Sequence, residues 1–86
     1  MTPAEALRRA RMAGRLSQFE VSPHARKRMK ERNVTRNDLA TALGTATHAA
    51  HEGQGRFLLT GGADIEGEAL AVVVAIAPGC VVITLF

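Results

Sequence analysis

Helical patterning fills the first part of the chain. Between Pro3 and Leu16, alanines and Leu7 recur at the spacing of one helical face, while arginines share another face. Thr2 can cap this helix and Pro3 suits its first position, so we predict a helix over residues 3–16. Because its apolar face consists mostly of alanine, we expect this helix to pack weakly on the rest of the protein.

Two more helices are predicted before the pattern changes. Ser22 provides a capping hydroxyl and is followed by a proline, which predicts a helix over residues 23–32. Asn33 tolerates the left-handed conformation that closes such a helix. A capping-box pattern that begins at Thr35 predicts a third helix, which ends at Gly44.

Strand patterns follow Gly44. A run that is apolar on both faces predicts a central strand, and short turns between successive strands favour an antiparallel meander. In the last strand, alternation places Val81, Ile83 and Leu85 on one face and Thr84 on the other. The predicted strands are residues 45–52, 56–60, 70–77 and 80–86, and residues 19–21 form a short extended lead-in to the second helix.

These elements predict an α+β fold: two or three N-terminal helices packed on a three- to four-stranded antiparallel β-sheet meander. The predicted sheet core consists of Leu58 or Leu59, Val72, Val74, Ile76, Val81, Ile83 and Leu85, covered on one face by Met29, Leu39 and Leu43.

Length and composition restrict the class of protein. We expect 86 residues to form one domain, with residues 1–18 as a helical extension and residues 19–86 as the core. The longest apolar run, Ala69 to Pro78, is too short for a bilayer span of about 20 residues. The arginine-rich N-terminus does not resemble a secretory signal, and the single cysteine, Cys80, excludes an internal disulfide framework. We therefore expect a cytoplasmic protein with no membrane contact.

The charge is distributed unevenly along the chain. Residues 1–36 contain ten of the eleven Lys and Arg residues and three acids, a balance of +7, whereas residues 37–86 have a balance of −4. This asymmetry predicts a basic surface that faces an anionic partner, or simply a solvated helical face.

The second predicted helix carries the densest candidate chemistry. His24, Arg28 and Arg32 are four residues apart in succession and form one stripe. An imidazole can transfer protons near neutral pH, and guanidinium groups suit phosphate oxygens. Arg26 and Lys27 add charge to the same helix, although a basic surface helix without catalytic function has the same pattern.

The second half of the chain adds few candidates. Thr84 interrupts the last apolar strand and can line a site on the sheet, or serve only as a good strand former. Arg56 can reach a phosphate or pair with Glu52. His48 and His51 are three residues apart, so in a strand they point to opposite faces and cannot share an ion. We therefore expect no metal site and no cofactor.

The helix from Ser22 to Thr35 resembles that of a small bacterial domain family of unknown function. The shared pattern is His-Ala-x-x-Arg-Met-x-x-Arg, which here begins at His24 and is followed by a short helix and a strand meander. That family is similar to the barnase–EndoU–colicin–RelE ribonuclease superfold, which includes BrnT-type toxins. The resemblance covers about residues 19–86 and implies a toxin-like, metal-independent endoribonuclease domain.

The resemblance also implies roles for individual residues. His24, Arg28 and Thr84 would form the catalytic group, with His24 as base or acid, and phosphate would be bound by further cations: Arg26, Lys27, Arg32 and Arg56. The expected partners are RNA and an acidic antitoxin or immunity-type protein. The alternative is a non-catalytic basic module that binds nucleic acid or an acidic protein. A further expectation is a homo-oligomer that pairs through an exposed edge of the last strand.

Overall fold

Three helices precede most of the sheet, in a computed structural model that describes residues 1–76 and 78–86. The helices are α1 (Pro3–Leu16), α2 (Pro23–Arg32) and α3 (Arg36–Thr45), and the strands are β1 (Glu20–Val21), β2 (His48–Gly53), β3 (Arg56–Thr60), β4 (Val72–Ile76) and β5 (Cys80–Leu85). The predicted α+β class is confirmed. The predicted strand end at Ala77 lies outside the described residues.

Local capping signals set the helix boundaries. The Ser22 side chain accepts a hydrogen bond from the backbone N–H of Ala25, and Asn33 ends α2 in the left-handed region with φ 57°. Thr35 and Asp38 form the reciprocal capping box at the start of α3. These three predicted features are confirmed.

The sheet has five strands in the order β1-β5-β4-β3-β2, and it is mixed. Strands β2 to β5 form the predicted antiparallel meander, but β1 pairs with β5 in parallel, with Glu20 opposite Val81. The predicted strand count and the purely antiparallel sheet are therefore wrong. The extended conformation predicted for residues 19–21 is confirmed at Glu20 and Val21, but two residues carry no periodic signal that would indicate their pairing with β5.

Strand β5 is not an edge of the sheet, contrary to the expectation for a homo-oligomer. Its first half is covered by β1, and the edges of the sheet are β1 and β2. The predicted free edge of the last strand is therefore absent over its first half, whereas oligomerisation itself stays a prediction.

Helices α1 and α3 pack against each other and cover one face of the sheet, where the core lies. The residues of this core are Ala6, Ala10, Leu39 and Leu43 from the helices and Phe57, Leu59, Val72, Val74, Val82 and Leu85 from the strands. The opposite face carries Arg56, Leu58, Val73, Ala75 and Thr84, of which Arg56 is exposed, Val73 is buried and the others are half-buried; we call it the open face.

Helix α1 packs more closely than its alanine-rich face predicts. Ala6 and Ala10 are fully buried, and a Cβ added at Gly14 would lie 2.7 Å from the Leu43 Cβ and 2.6 Å from the Ala40 carbonyl oxygen. The small side chains permit a close crossing of α1 and α3. The expectation of weak packing is wrong, because the small side chains of α1 let its backbone approach the backbone of α3 closely.

A β-bulge changes which residues of β5 face the core. Val73 pairs with Thr84 but Val74 pairs with Val82, so Ile83 is the extra residue. Val82 and Leu85 are consequently both buried in the core, whereas Val81 and Ile83 are only half-buried. The predicted core positions of Val81 and Ile83 are wrong, because strict alternation fails at the bulge.

No helix in the described part of the chain is long and apolar enough to span a membrane.

Candidate functional site

The candidate site lies where the first turn of α2 meets the second half of β5. Strand β1 ends at Val21, and the chain turns into α2 beside the part of β5 that β1 does not cover. The Ser22 hydroxyl donates to the Ile83 carbonyl at 3.0 Å, and the Ser22 backbone N–H donates to the Val82 carbonyl at 2.9 Å. The start of α2 is therefore fixed to β5 through one residue.

His24 and Thr84 form the central contact of this site. The His24 Nε2 atom lies 3.2 Å from Thr84 Oγ1, a hydrogen bond in which the tautomer of the ring decides the donor. In either neutral tautomer Nε2 is engaged, so Nδ1 is the nitrogen left to accept or donate a proton elsewhere. The contact brings together two residues of the predicted catalytic group.

The bulge at Ile83 places Thr84 within reach of His24. Val82 faces the core, so unbroken alternation would direct Thr84 into the core as well. The extra residue reverses this, and Thr84 instead lies opposite Val73 on the open face. Bulges frequently redirect a side chain in this way next to functional sites.

Arg28 lies one helical turn after His24 and contacts the backbone of β5. Its Nε and Nη2 atoms donate to the Leu85 carbonyl oxygen at 3.4 and 3.2 Å. This carbonyl belongs to the part of β5 beyond β1, so the guanidinium group satisfies an edge acceptor that would otherwise need water. Arg28 thus has a structural contact in addition to its predicted role in phosphate binding.

The other predicted phosphate-binding residues are not gathered at His24. Arg32 and Lys27 are exposed on α2, and exposed Arg26 lines a hollow of about 550 Å³ with Phe19, Glu20, Val21, Met29 and Arg36. Arg56 lies opposite Ala75, which in turn lies opposite Val81. It therefore shares the open face with Thr84, but it is about 12 Å away, two strand spacings across and two residues along the strands.

Glu20 is a residue that the sequence analysis did not single out. It lies on β1, opposite Val81 of β5. Val81 precedes Thr84 by three residues along β5. Its neighbours Phe19 and Val21 pack in or against the core, so alternation directs Glu20 toward the open face. Its place in the sheet follows from a pairing across about 60 residues, which no local signal reveals.

The remaining histidines and the cysteine lie apart from this site. His51 stacks on Phe57 with ring centroids 4.9 Å apart, whereas His48 lies opposite Thr60, so the two imidazoles point to opposite faces as predicted. Burial raises the pKa of the Cys80 thiol to about 11, so it is a poor nucleophile. Across residues 1–76 and 78–86 there is no group of three His, Cys, Asp or Glu side chains placed to bind a metal ion.

Asp38 is the one buried charged side chain among the described residues. It accepts hydrogen bonds from the Thr35 backbone N–H at 2.9 Å and from the Ile65 backbone N–H at 3.2 Å. These bonds, led by the one from Thr35, lower the pKa of Asp38 although burial opposes them. Asp38 joins the start of α3 to the loop after β3, away from His24.

Comparison with known proteins identifies the family of the chain. A family model described as a domain of unknown function, DUF4258, matches residues 21–86, which include α2, α3 and strands β2 to β5. No curated protein and no solved structure matches significantly. The match begins just before the Ser22 contact and contains both His24 and Thr84. Over most of its length, this chain therefore belongs to the DUF4258 family of domains of unknown function.

Proposed function

We propose that the protein is a toxin-like endoribonuclease domain, similar to the barnase–EndoU–colicin–RelE superfold, that cleaves RNA without a metal ion. The observation that carries this proposal is the His24–Thr84 contact of 3.2 Å, which lies at the start of a basic helix and at the open face of the sheet. A proton-transfer group is held there by a fixed partner, next to several cations that attract phosphate.

The proposed chemistry is attack of the ribose 2′-oxygen on the adjacent phosphorus. A base takes the 2′-OH proton, the new P–O bond forms a 2′,3′-cyclic phosphate, and the bond to the 5′-oxygen breaks as an acid protonates it. The His24 Nδ1 atom carries one of these two proton transfers. Thr84 holds the ring in place, which makes it a positioning residue rather than a direct phosphate ligand.

Two other residues of the open face support this scheme. Glu20 offers a carboxylate on the adjacent strand for the second proton transfer, which the sequence analysis left unassigned. Arg56 lies on the same face and is exposed, so it can stabilise negative charge on a bound phosphate. Arg32 and Lys27 extend the positive surface along α2, where more of the RNA backbone would bind.

Two observations favour a second candidate, the non-catalytic binding module. The only side-chain hydrogen bond of His24 in the described residues is to Thr84, and Arg28 is engaged by a backbone carbonyl rather than free for phosphate. Such a surface can hold RNA, or an acidic partner such as an antitoxin, without reacting.

A cleavage assay distinguishes the two candidates. Wild type, His24→Ala and Glu20→Gln are incubated with structured and unstructured RNA. The control is His48→Ala, which also removes an exposed imidazole but on β2, at the opposite edge of the sheet. We expect His24→Ala to lower the rate by about 10²–10⁴-fold, as for a general acid or base, and His48→Ala to leave it unchanged. A chelator is expected to have no effect. Folded wild type that never cleaves RNA would favour the binding module.

RNA binding by the same variants is measured against salt concentration. Each phosphate contact contributes about 0.7 to the slope of log affinity against log salt on single strands. We expect Arg56→Ala to reduce this slope and His24→Ala to leave it nearly intact, because a neutral imidazole attracts phosphate weakly. No binding at any salt concentration would favour an acidic protein partner.

A further inference from the structure

The two edges of the sheet are protected to very different degrees. At one edge β1 is only two residues long, and beyond it the Ser22 hydroxyl and the Arg28 guanidinium occupy the Ile83 and Leu85 carbonyls. Strand pairing with another chain is blocked there by side chains of the same protein. This is one of the ways in which natural sheets avoid edge-to-edge association.

The opposite edge, β2, is six residues long, and among the described residues no side chain is hydrogen-bonded to its outward backbone groups. Its six residues contain no Lys, Arg or Pro, and all but Ala49 are exposed. The small side chains of Ala49 and Ala50 allow a close approach. The only bulge in the described pairing of β2 with β3 is at Glu52, next to the last residue of the strand, and leaves His48 to His51 in regular register. In the described part of the chain no strand pairs with the outer side of β2, and helix α1 contacts this strand.

We propose that β2 pairs with β2 of a second copy of this chain, antiparallel and centred on Ala50. In this register Ala50 lies opposite its own counterpart, and Ala49 lies opposite His51 of the second copy. His48 lies opposite Glu52 of the second copy, and two-fold symmetry makes this pair twice. The strand is thus complementary to itself: the imidazole near one end faces a carboxylate near the other.

The geometry of His48 suits this pairing. Its Nδ1 atom lies 2.8 Å from Thr47 Oγ1, and when this hydroxyl donates, the neutral ring carries its proton on Nε2. That Nε2–H can donate to the carboxylate of Glu52 in the second copy. Opposite-charge and hydrogen-bonding pairs directly across strands stabilise a sheet, whereas like charges in the same place destabilise it.

The pairing would create one continuous ten-stranded sheet from two five-stranded ones. Helix α2 lies at the β5 edge, so the two copies of His24 would be at opposite ends and both sites would stay exposed. The proposal does not depend on RNA cleavage. Because a single strand pair of six residues buries little surface, we expect a weak, concentration-dependent dimer.

Sedimentation equilibrium on the full chain, from about 5 µM to about 1 mM, tests the proposal over the range expected of weak interfaces. We expect the mass to rise from 9.2 kDa toward twice that value. His48→Glu places two carboxylates opposite one another, and Glu52→Lys replaces the carboxylate acceptor with a second donor, so each should weaken dimerisation at least about tenfold. The double variant His48→Glu/Glu52→Lys places opposite charges across the interface and should restore association. Glu31→Lys, an equal charge change on exposed α2, is the control.

His48 and Glu52 are both exposed, so neither substitution disturbs the core and each variant should fold. A wild type that stays monomeric at about 1 mM overturns the proposal. A dimer that both single variants leave unchanged, or that the double variant fails to restore, overturns the proposed register. Concentration-dependent protection of the β2 amides from hydrogen exchange, without protection of β1, is the second expected result. Protection elsewhere alone would place the interface on another surface and contradict the proposal.

Discussion

His24 and Thr84 are 60 residues apart in sequence, yet their Nε2 and Oγ1 atoms lie 3.2 Å apart. The contact depends on two structural devices. The Ser22 hydroxyl fixes the start of α2 to β5, and the bulge at Ile83 turns Thr84 to the open face. The imidazole is thereby held with Nδ1 free of protein partners in the described residues.

Thr84→Val is expected to lower RNA cleavage by about tenfold or more, because misplacement of a proton-transfer group is costly. Thr84→Ser keeps the hydroxyl and should rescue the rate. The measurements are kcat and KM for each variant, with the pH–rate profile of each. A positioning role predicts that kcat falls while KM changes little. An equal loss of rate in both variants would show that the hydroxyl is not what matters.

Arg28→Ala is expected to destabilise the protein by about 1–3 kcal/mol, because it leaves the part-buried Leu85 carbonyl without its charged donor. Urea unfolding measures the change, and Arg32→Ala, an exposed arginine on the same helix, is the control. If Arg28 also binds phosphate, RNA affinity and turnover should both fall. Unchanged stability would contradict the structural role described above.

Gly14→Ala tests the close crossing of α1 and α3. The added Cβ would lie within 2.7 Å of the Leu43 Cβ and of backbone atoms of α3, so we expect a loss of about 1–3 kcal/mol. Gly44→Ala is the matched control on the facing helix, because its Cβ would meet only Arg15, at 3.5 Å. Thermal or urea unfolding compares the two. Equal stabilities would mean that α1 does not pack as described.

Asp38 predicts a specific dependence of stability on pH. Its pKa is lowered in the folded protein from the ordinary value of 3.8, so its ionised carboxylate adds its full contribution to the free energy of unfolding above that pH. This contribution is lost as the pH falls through the pKa of the folded state. Asp38→Asn should therefore be less stable than wild type at pH 7, and the difference should shrink below about pH 3.8. Unfolding curves from pH 7 to pH 2 measure this, and a constant difference would contradict it.

Cys80 is expected to react slowly with thiol reagents in the folded protein. With its pKa raised to about 11 by burial, the thiolate fraction is about a hundredfold lower than at the ordinary value of 9.0. Alkylation at pH 8 in buffer and in urea gives the comparison. Labelling of the native protein as fast as that of the unfolded chain would show that the thiol is not buried.

Local structure follows from short-range sequence signals. The capping residues Thr2, Ser22 and Thr35 and the left-handed Asn33 act within four residues of where they stand, and the structure confirms each of them. Strand β3 matches its predicted bounds, because Phe57 and Leu59 on one face, with Arg56 and Thr60 at the ends, are likewise a local signal. The basic stripe on α2 and its candidate His24 were also visible, since helical spacing alone defines them.

The arrangement of those local elements depends on contacts between distant segments of the chain. The pairing of β1 with β5 joins residues about 60 apart, and a two-residue strand exists only because β5 is there to receive it. The bulge at Ile83 is a property of the β4–β5 register, and it overrides the alternation that placed Val81 and Ile83 in the core. Because such contacts depend on packing between distant segments, the site at His24 and Thr84 and the open edge at β2 emerge only from the folded chain.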